Sequence, residues 1–222
     1  PGTAAGPGCR MRSPGGRGDG AKGGGRVEFT GTIWLPFPQL GISQLYLDEA
    51  KLEAVKGWFR PSRIGELAPL PVHDFGSGRY TLTDGHTRAF AAVQAGLTHI
   101  PVRYDADELV AGETGRRLYA ADIAWCDRFR LKHVGDLSGR ILPHSQYQKR
   151  WIGRCDRSDQ LLSQTSEDER SMMQRKAPGL YLYGANADLT VLYFENAAGD
   201  LFVYENGALA LEQGLHAGRD RP

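Results

Sequence analysis

The chain is short of the features that mark several protein classes. Only three of its 222 residues are cysteine, at positions 9, 126 and 155. So sparse and odd a count gives no basis for a disulfide framework, and it suits a reducing, cytoplasmic setting. Long apolar runs are missing as well. Nothing approaches the roughly 18 consecutive apolar residues of a membrane span, so no membrane association is expected. The first 26 residues lack the apolar stretch of a secretory signal, and none is expected there. No segment repeats at the periods that build solenoids. Charge of one sign is not in excess either: 27 Lys+Arg stand against 26 Asp+Glu, a net of +1.

That balance conceals two opposite parts. Residues 1–26 hold ten glycines and three prolines, with Arg10, Arg12, Arg17, Lys22 and Arg26 against Asp19 alone, a net of +4. Residues 27–222 carry 22 basic and 25 acidic side chains, a net of −3. The segment 1–28 is too glycine-rich to offset its own ordering entropy and is expected to be a disordered basic tail. Two uses of it stay open: a plain linker, or an arm for nucleic acid or membrane. The rest, in a chain 41% apolar and 24% charged, has an ordinary globular make-up with residues enough for one core and an appendage.

Periodicity divides this body. Thr32–Leu35 reads as a strand stopped by Pro36 and Pro38. Asp48 is placed to cap a helix reaching about Phe59, with Leu52, Val55 and Phe59 on one face. Pro69–Phe75 and Arg79–Thr83 read as strands joined by a turn at Gly76–Gly78. A nearly all-apolar helix follows Asp84–Gly85 and ends at Gly96, before alternating Ile100, Val102 and Tyr104. From Asp107 to about Arg157 the period is helical, through Leu118, Ala121, Trp125 and Phe129 and again through Tyr147, Trp151 and Cys155. Ser158–Pro178 is polar and reads as a loop or a marginal helix. Leu189–Glu195, Asp200–Glu205 and Ala208–Leu211 read as strands, the last two joined by a type I′ turn at Asn206–Gly207. The fold class expected is α+β.

Chemistry concentrates at Thr83-Asp84-Gly85-His86-Thr87-Arg88, where a strand ends and a buried helix begins. A helix N-terminus offers unpaired N–H groups and partial positive charge, and glycine lets a ligand approach the backbone. His86, Thr87 and Arg88 add donors, and Arg grips phosphate with two parallel bonds. On this reading the turn is an anion cradle in which Asp84 holds a metal ion or a proton. The competing reading is a helix cap at Asp84, a permissive Gly85 and an ion pair for Arg88. Cys126, His133, His144 and Cys155 match no compact zinc spacing, and the two cysteines read as core.

The run Arg79–Phe90, then Ala95-Gly96-Leu97 and Ile100-Pro101-Val102, resembles the ParB/sulfiredoxin superfamily. The likeness covers Ser43–Tyr104, and Leu35–Leu52 with the tract to Cys155 is similar to an uncharacterised bacterial family of ParB-like proteins. The Asp-Gly-His-Thr-Arg turn most resembles the free serine kinase branch. It departs from the Gly-Glu-Arg-Arg box of partition ParB proteins, whose helix-turn-helix half has no counterpart downstream. It departs also from the Gly-Cys-His-Arg of sulfiredoxin, because His86 stands where the cysteine would.

The resemblance implies a ParB/sulfiredoxin-like core over 29–106. A helical segment follows at 107–158, then a loop at 159–178, a β-meander at 179–213 and a tail at 214–222. It implies a nucleotide site at Gly85, His86, Thr87 and Arg88 that takes ADP or ATP, or CTP, with Mg²⁺ on Asp84. The implied reaction is phosphoryl transfer to a small hydroxyl-bearing acceptor, with Glu49, Asp84 and His86 as catalytic groups. Glu49 would serve as general base; by its position alone it reads equally as a first-turn acid complementing the helix dipole. The alternative is a non-catalytic, DNA-associated ParB-like regulator or an interaction module. The acidic body argues against nucleic acid, because phosphate contacts need clustered Lys and Arg.

Overall fold

The structure, a computed structural model, describes residues 29–214. The expectations for residues 1–28 and 215–222 lie outside that range. The described chain is mixed α+β and falls into two compact units, divided between Trp151 and Ile152. The division lies inside the tract 107–158 that sequence periodicity treats as one helical segment.

In the first unit, β1 (Thr32–Pro36) is followed by the short β2 (Leu47–Asp48) and by α1 (Glu49–Trp58). Asp48 caps α1 as expected, its side chain accepting the Ala50 N–H at 3.0 Å. After β3 (Leu70–Asp74) and β4 (Tyr80–Leu82) come α2 (His86–Gln94) and β5 (His99–Tyr104). These strands make a sheet of order β1-β5-β3-β4, in which β3 and β5 run parallel and the other pairs antiparallel. The strand–helix–strand read from residues 79–104 is therefore not a parallel pair. β4 and β5 flank β3 on opposite sides, and the crossover joining β3 to β5 carries both β4 and α2. Pro36 ends β1 on the sheet edge, where a missing N–H costs no ladder bond.

Leu70, Val72, Leu82, Ile100 and Val102 of this sheet are fully buried, and α2 adds the buried Phe90, Ala89 and Ala92 to the core. The unit continues with α3 (Glu108–Ala111) and α4 (Glu113–Arg128). The helical period then breaks. A 3-10 stretch over Val134–Gly139 leads into β6 (Ile141–Leu142), which pairs parallel with β2, and α5 (His144–Tyr147) follows. Local pattern could not show that pairing, because its partner lies more than ninety residues back. Among the described residues no helix is long and apolar enough to cross a membrane.

The second unit opens with α6 (Gly153–Gln164) and α7 (Glu167–Gln174). This corrects the expected loop at 159–178. The polar run is a helix pair started anew by Ser166, whose hydroxyl accepts the Glu169 N–H while Glu169 reaches back to the Ser166 N–H at 2.8 Å. The β-meander is present: β7 (Tyr181–Ala185), β8 (Leu192–Glu195), β9 (Leu201–Glu205) and β10 (Ala208–Gln213) pair in chain order, all antiparallel. Asn206 and Gly207 both have positive φ, as the type I′ turn requires. Cys126 and Cys155 are buried and not joined by a disulfide.

Candidate functional site

The turn at Thr83–Gly85 is pinned from three sides. Thr83 donates its N–H to Pro71 O at 3.1 Å and its hydroxyl to Asp105 at 2.6 Å, while its carbonyl accepts from Tyr119 at 3.2 Å. The chain then reverses through Gly85 at φ +81°, the N-cap of α2. A Cβ there would sit 2.7 Å from Leu70 Cδ2 and 3.0 Å from an Arg88 guanidinium nitrogen. The position therefore excludes a side chain on both backbone and packing grounds. Asp84 is not the cap, which differs from the capping alternative: α2 has no side-chain cap bond. Its carboxylate instead faces Arg88 at 3.6 Å, both side chains being partly exposed.

His86 is buried, 3% exposed, and burial pushes its pKa down to about 4 against a weaker opposing pull from the Asp84 carboxylate. Its Nε2 accepts the Ser43 N–H at 3.2 Å, which leaves the imidazole proton on Nδ1. The Ser43 hydroxyl donates to Leu82 O at 2.8 Å, so this residue ties the 41–46 segment to both β4 and α2. At neutral pH His86 is thus an uncharged anchor. The cationic group of the turn is Arg88.

Asp84, Gly85, His86, Thr87 and Arg88 line a cleft of about 640 Å³ in the first unit. The cleft is also lined from α1 and the 3-10 stretch after it, through Lys51, Trp58, Arg60, Arg63 and Glu66. The cleft is thus lined by four basic side chains and two acidic ones, although the body of the chain is net negative. Arg63 is paired to Glu66 at 2.8 Å; that bond raises the Arg63 pKa and lowers that of Glu66. Lys51 lies over the Tyr147 ring, 5.4 Å from its centroid. The Arg60 guanidinium donates to Phe59 O at 2.9 Å.

Glu49 is not brought to this place. It stands exposed in the first turn of α1 and is not among the cleft's lining residues, a position that fits its reading as a dipole complement. Among the described residues no group of three or more His, Cys, Asp or Glu side chains could hold a metal ion. Asp84 is a single carboxylate at the cradle, the donor set expected of a Mg²⁺ held mostly by phosphates and water.

One constellation escaped sequence reasoning. His144, half-exposed, pairs through Nδ1 with the buried Asp48 carboxylate at 2.7 Å. The two are 96 residues apart, so only the β2–β6 pairing brings them together. The sequence signal available was Asp48 as a cap, which says nothing of its second oxygen.

Comparison with protein-family models and with curated proteins returns no match to this chain.

Proposed function

We propose that the first unit binds a nucleotide, ADP, ATP or CTP with Mg²⁺, in the cleft between α1 and α2. We further propose that it transfers a phosphoryl group to a small hydroxyl-bearing acceptor. A single observation carries the reading: the glycine-led N-terminus of α2 and Arg88 open into a cleft whose charged side chains are mainly basic, on a body that is net acidic. The first turn of α2 supplies N–H donors and the positive end of the helix dipole, the usual setting for a phosphate. The resemblance of Arg79–Val102 to the ParB/sulfiredoxin superfamily, and of Asp84–Arg88 to its free serine kinase branch, agrees with this.

In such a site Gly85–Arg88 bind and orient the phosphates. Asp84 would be the residue to hold a Mg²⁺ ion, which would supply charge neutralisation for the phosphates. The acceptor oxygen attacks the terminal phosphorus, the bond to the leaving phosphate oxygen breaks, and the hydroxyl proton passes to a carboxylate. Asp84 is better placed for that last task than Glu49, because it lines the cleft. His86 fixes the shape of the turn and stays neutral throughout. A cytoplasmic setting fits the nucleotide and the sparse cysteines.

Calorimetry and thermal shift against ADP, ATP and CTP with Mg²⁺ test the reading. Submillimolar binding of at least one nucleotide is expected, weakened tenfold or more in Arg88→Ala. Absence of submillimolar binding, or an Arg88→Ala variant that binds like the wild type, rejects it.

A further inference from the structure

The sheet of the second unit treats its two edges differently. At the β7 edge the Gln174 side chain of α7 accepts the Leu182 N–H at 2.8 Å and donates to Leu180 O at 2.7 Å. Backbone groups that another strand would need are thereby occupied. α6 packs against the same strand, close enough that a Cβ on Gly184 would come 2.5 Å from Arg157 Cβ. At the other edge, β10 pairs with β9 alone among the described residues, and Ala208, Leu209, Ala210 and Leu211 are all exposed.

Edge strands are ordinarily defended by a lysine, a proline or a bulge. Ala208–Leu211 has no charge and no proline, and the bulge in β10 comes only after Leu211. Six large apolar side chains are exposed among the described residues. Two of them, Leu209 at 46% and Leu211 at 61%, stand two residues apart here on one face of the strand. The two-residue turn at Asn206–Gly207 sets the hydrogen-bonding phase. Ala208 closes the hairpin opposite Glu205, so Ala208 and Ala210 bond to β9, while the N–H and C=O of Leu209 and Leu211 point away from the sheet. The one charged side chain of β10 is Glu212, and Arg157 holds it through two bonds of 3.2 Å.

We propose that β10 pairs antiparallel with β10 of a second copy of this chain, making one continuous sheet across a two-fold axis at Ala210. The strand is complementary to itself in that register. Leu209 of one copy lies opposite Leu211 of the other as a hydrogen-bonded pair, so the outward N–H and C=O groups of both leucines find partners. The leucines of the two copies gather on one face, and alanine meets alanine at the axis. Charge permits the match, because Glu212 already has its counter-ion in its own copy and no uncompensated acid enters the contact. A strongly acidic or basic peptide would find no opposite charge along Ala208–Leu211. One short strand buries less than a standard interface, so the dimer dissociates on the order of 10 µM.

Sedimentation velocity of the full chain across the micromolar range tests this. The wild type passes from monomer to dimer as concentration rises. Leu209→Lys and Leu211→Lys stay monomeric throughout and melt like the wild type, because both side chains are exposed. In a Cys9→Ala background, Ala210→Cys oxidises to a covalent dimer, since facing residues at a non-hydrogen-bonded site lie within disulfide reach. Ala208→Cys does not, because the register sets its two copies far apart. A wild type that stays monomeric overturns the proposal, as does a dimer that both lysine variants leave intact. Equal cross-linking of Ala208→Cys and Ala210→Cys, or growth beyond the dimer, overturns it as well.

Discussion

Two residues show how much the cleft depends on single atoms. Gly85 carries a positive φ and would drive a Cβ into Leu70, whereas Gly96, also at positive φ, has nothing within 4 Å of the same atom. Gly96→Ala therefore costs the backbone term alone, about 1 kcal/mol. Gly85→Ala adds a core clash and should cost about 2–3 kcal/mol. Urea midpoints of the pair measure the difference, and equal losses would show that Leu70 yields.

His86 supplies a pH signature. Its folded pKa of about 4 lies below the ordinary 6.5, so between those values the unfolded chain binds the extra proton. Stability then rises with pH across that window and is lost as pH falls through it. The contribution lost between pH 7 and pH 5 is on the order of 2 kcal/mol. Denaturation curves at the two pH values should show a steep difference in the wild type and a flatter one in His86→Gln.

At the level of elements, polar composition misled where helices draw on tertiary support. Residues 159–178 have the make-up of a loop, yet α6 and α7 form because the first buries Cys155 and Leu161 and the second is started by its capping box. Replacing Ser166 with alanine removes half of that box and should cost about 1 kcal/mol by chemical denaturation.

The second unit also holds a deeply buried ion pair. Arg154 donates to Glu195 at 2.6 Å, with side chains 4% and 1% exposed, and the guanidinium lies 4.4 Å from the Tyr183 ring centroid. Removing one partner strands the other charge. Glu195→Ala should therefore destabilise this unit by about 3–5 kcal/mol, while a double replacement by apolar residues of similar volume should restore much of it. No periodic signal marked these two residues, because partners 41 apart in sequence meet only through the packing of α6 on β7 and β8.

Across the whole chain, charge remains the broadest guide. The body is net acidic, and four basic side chains, Lys51, Arg60, Arg63 and Arg88, line the cleft in the first unit. A gel shift at physiological salt should find no duplex retained by a chain lacking residues 1–28, and retention by that body would favour the DNA-associated alternative.

The sequence alone determined the α+β class, the capped start of α1 and the C-terminal meander. Each of these rests on neighbours in the chain: a cap and the residue two along, a period of two or of four, two turn residues with positive φ. Tertiary structure alone decided that β3 and β5 are the parallel pair, that His144 reaches Asp48, and that His86 is an anchor to Ser43 and not a charged ligand. It decided also that Glu49 faces solvent while Lys51 and Trp58, two and nine residues on, turn to the cleft. Such outcomes depend on which face of an element meets another, and the free energy that selects the face comes from burying groups far apart in sequence.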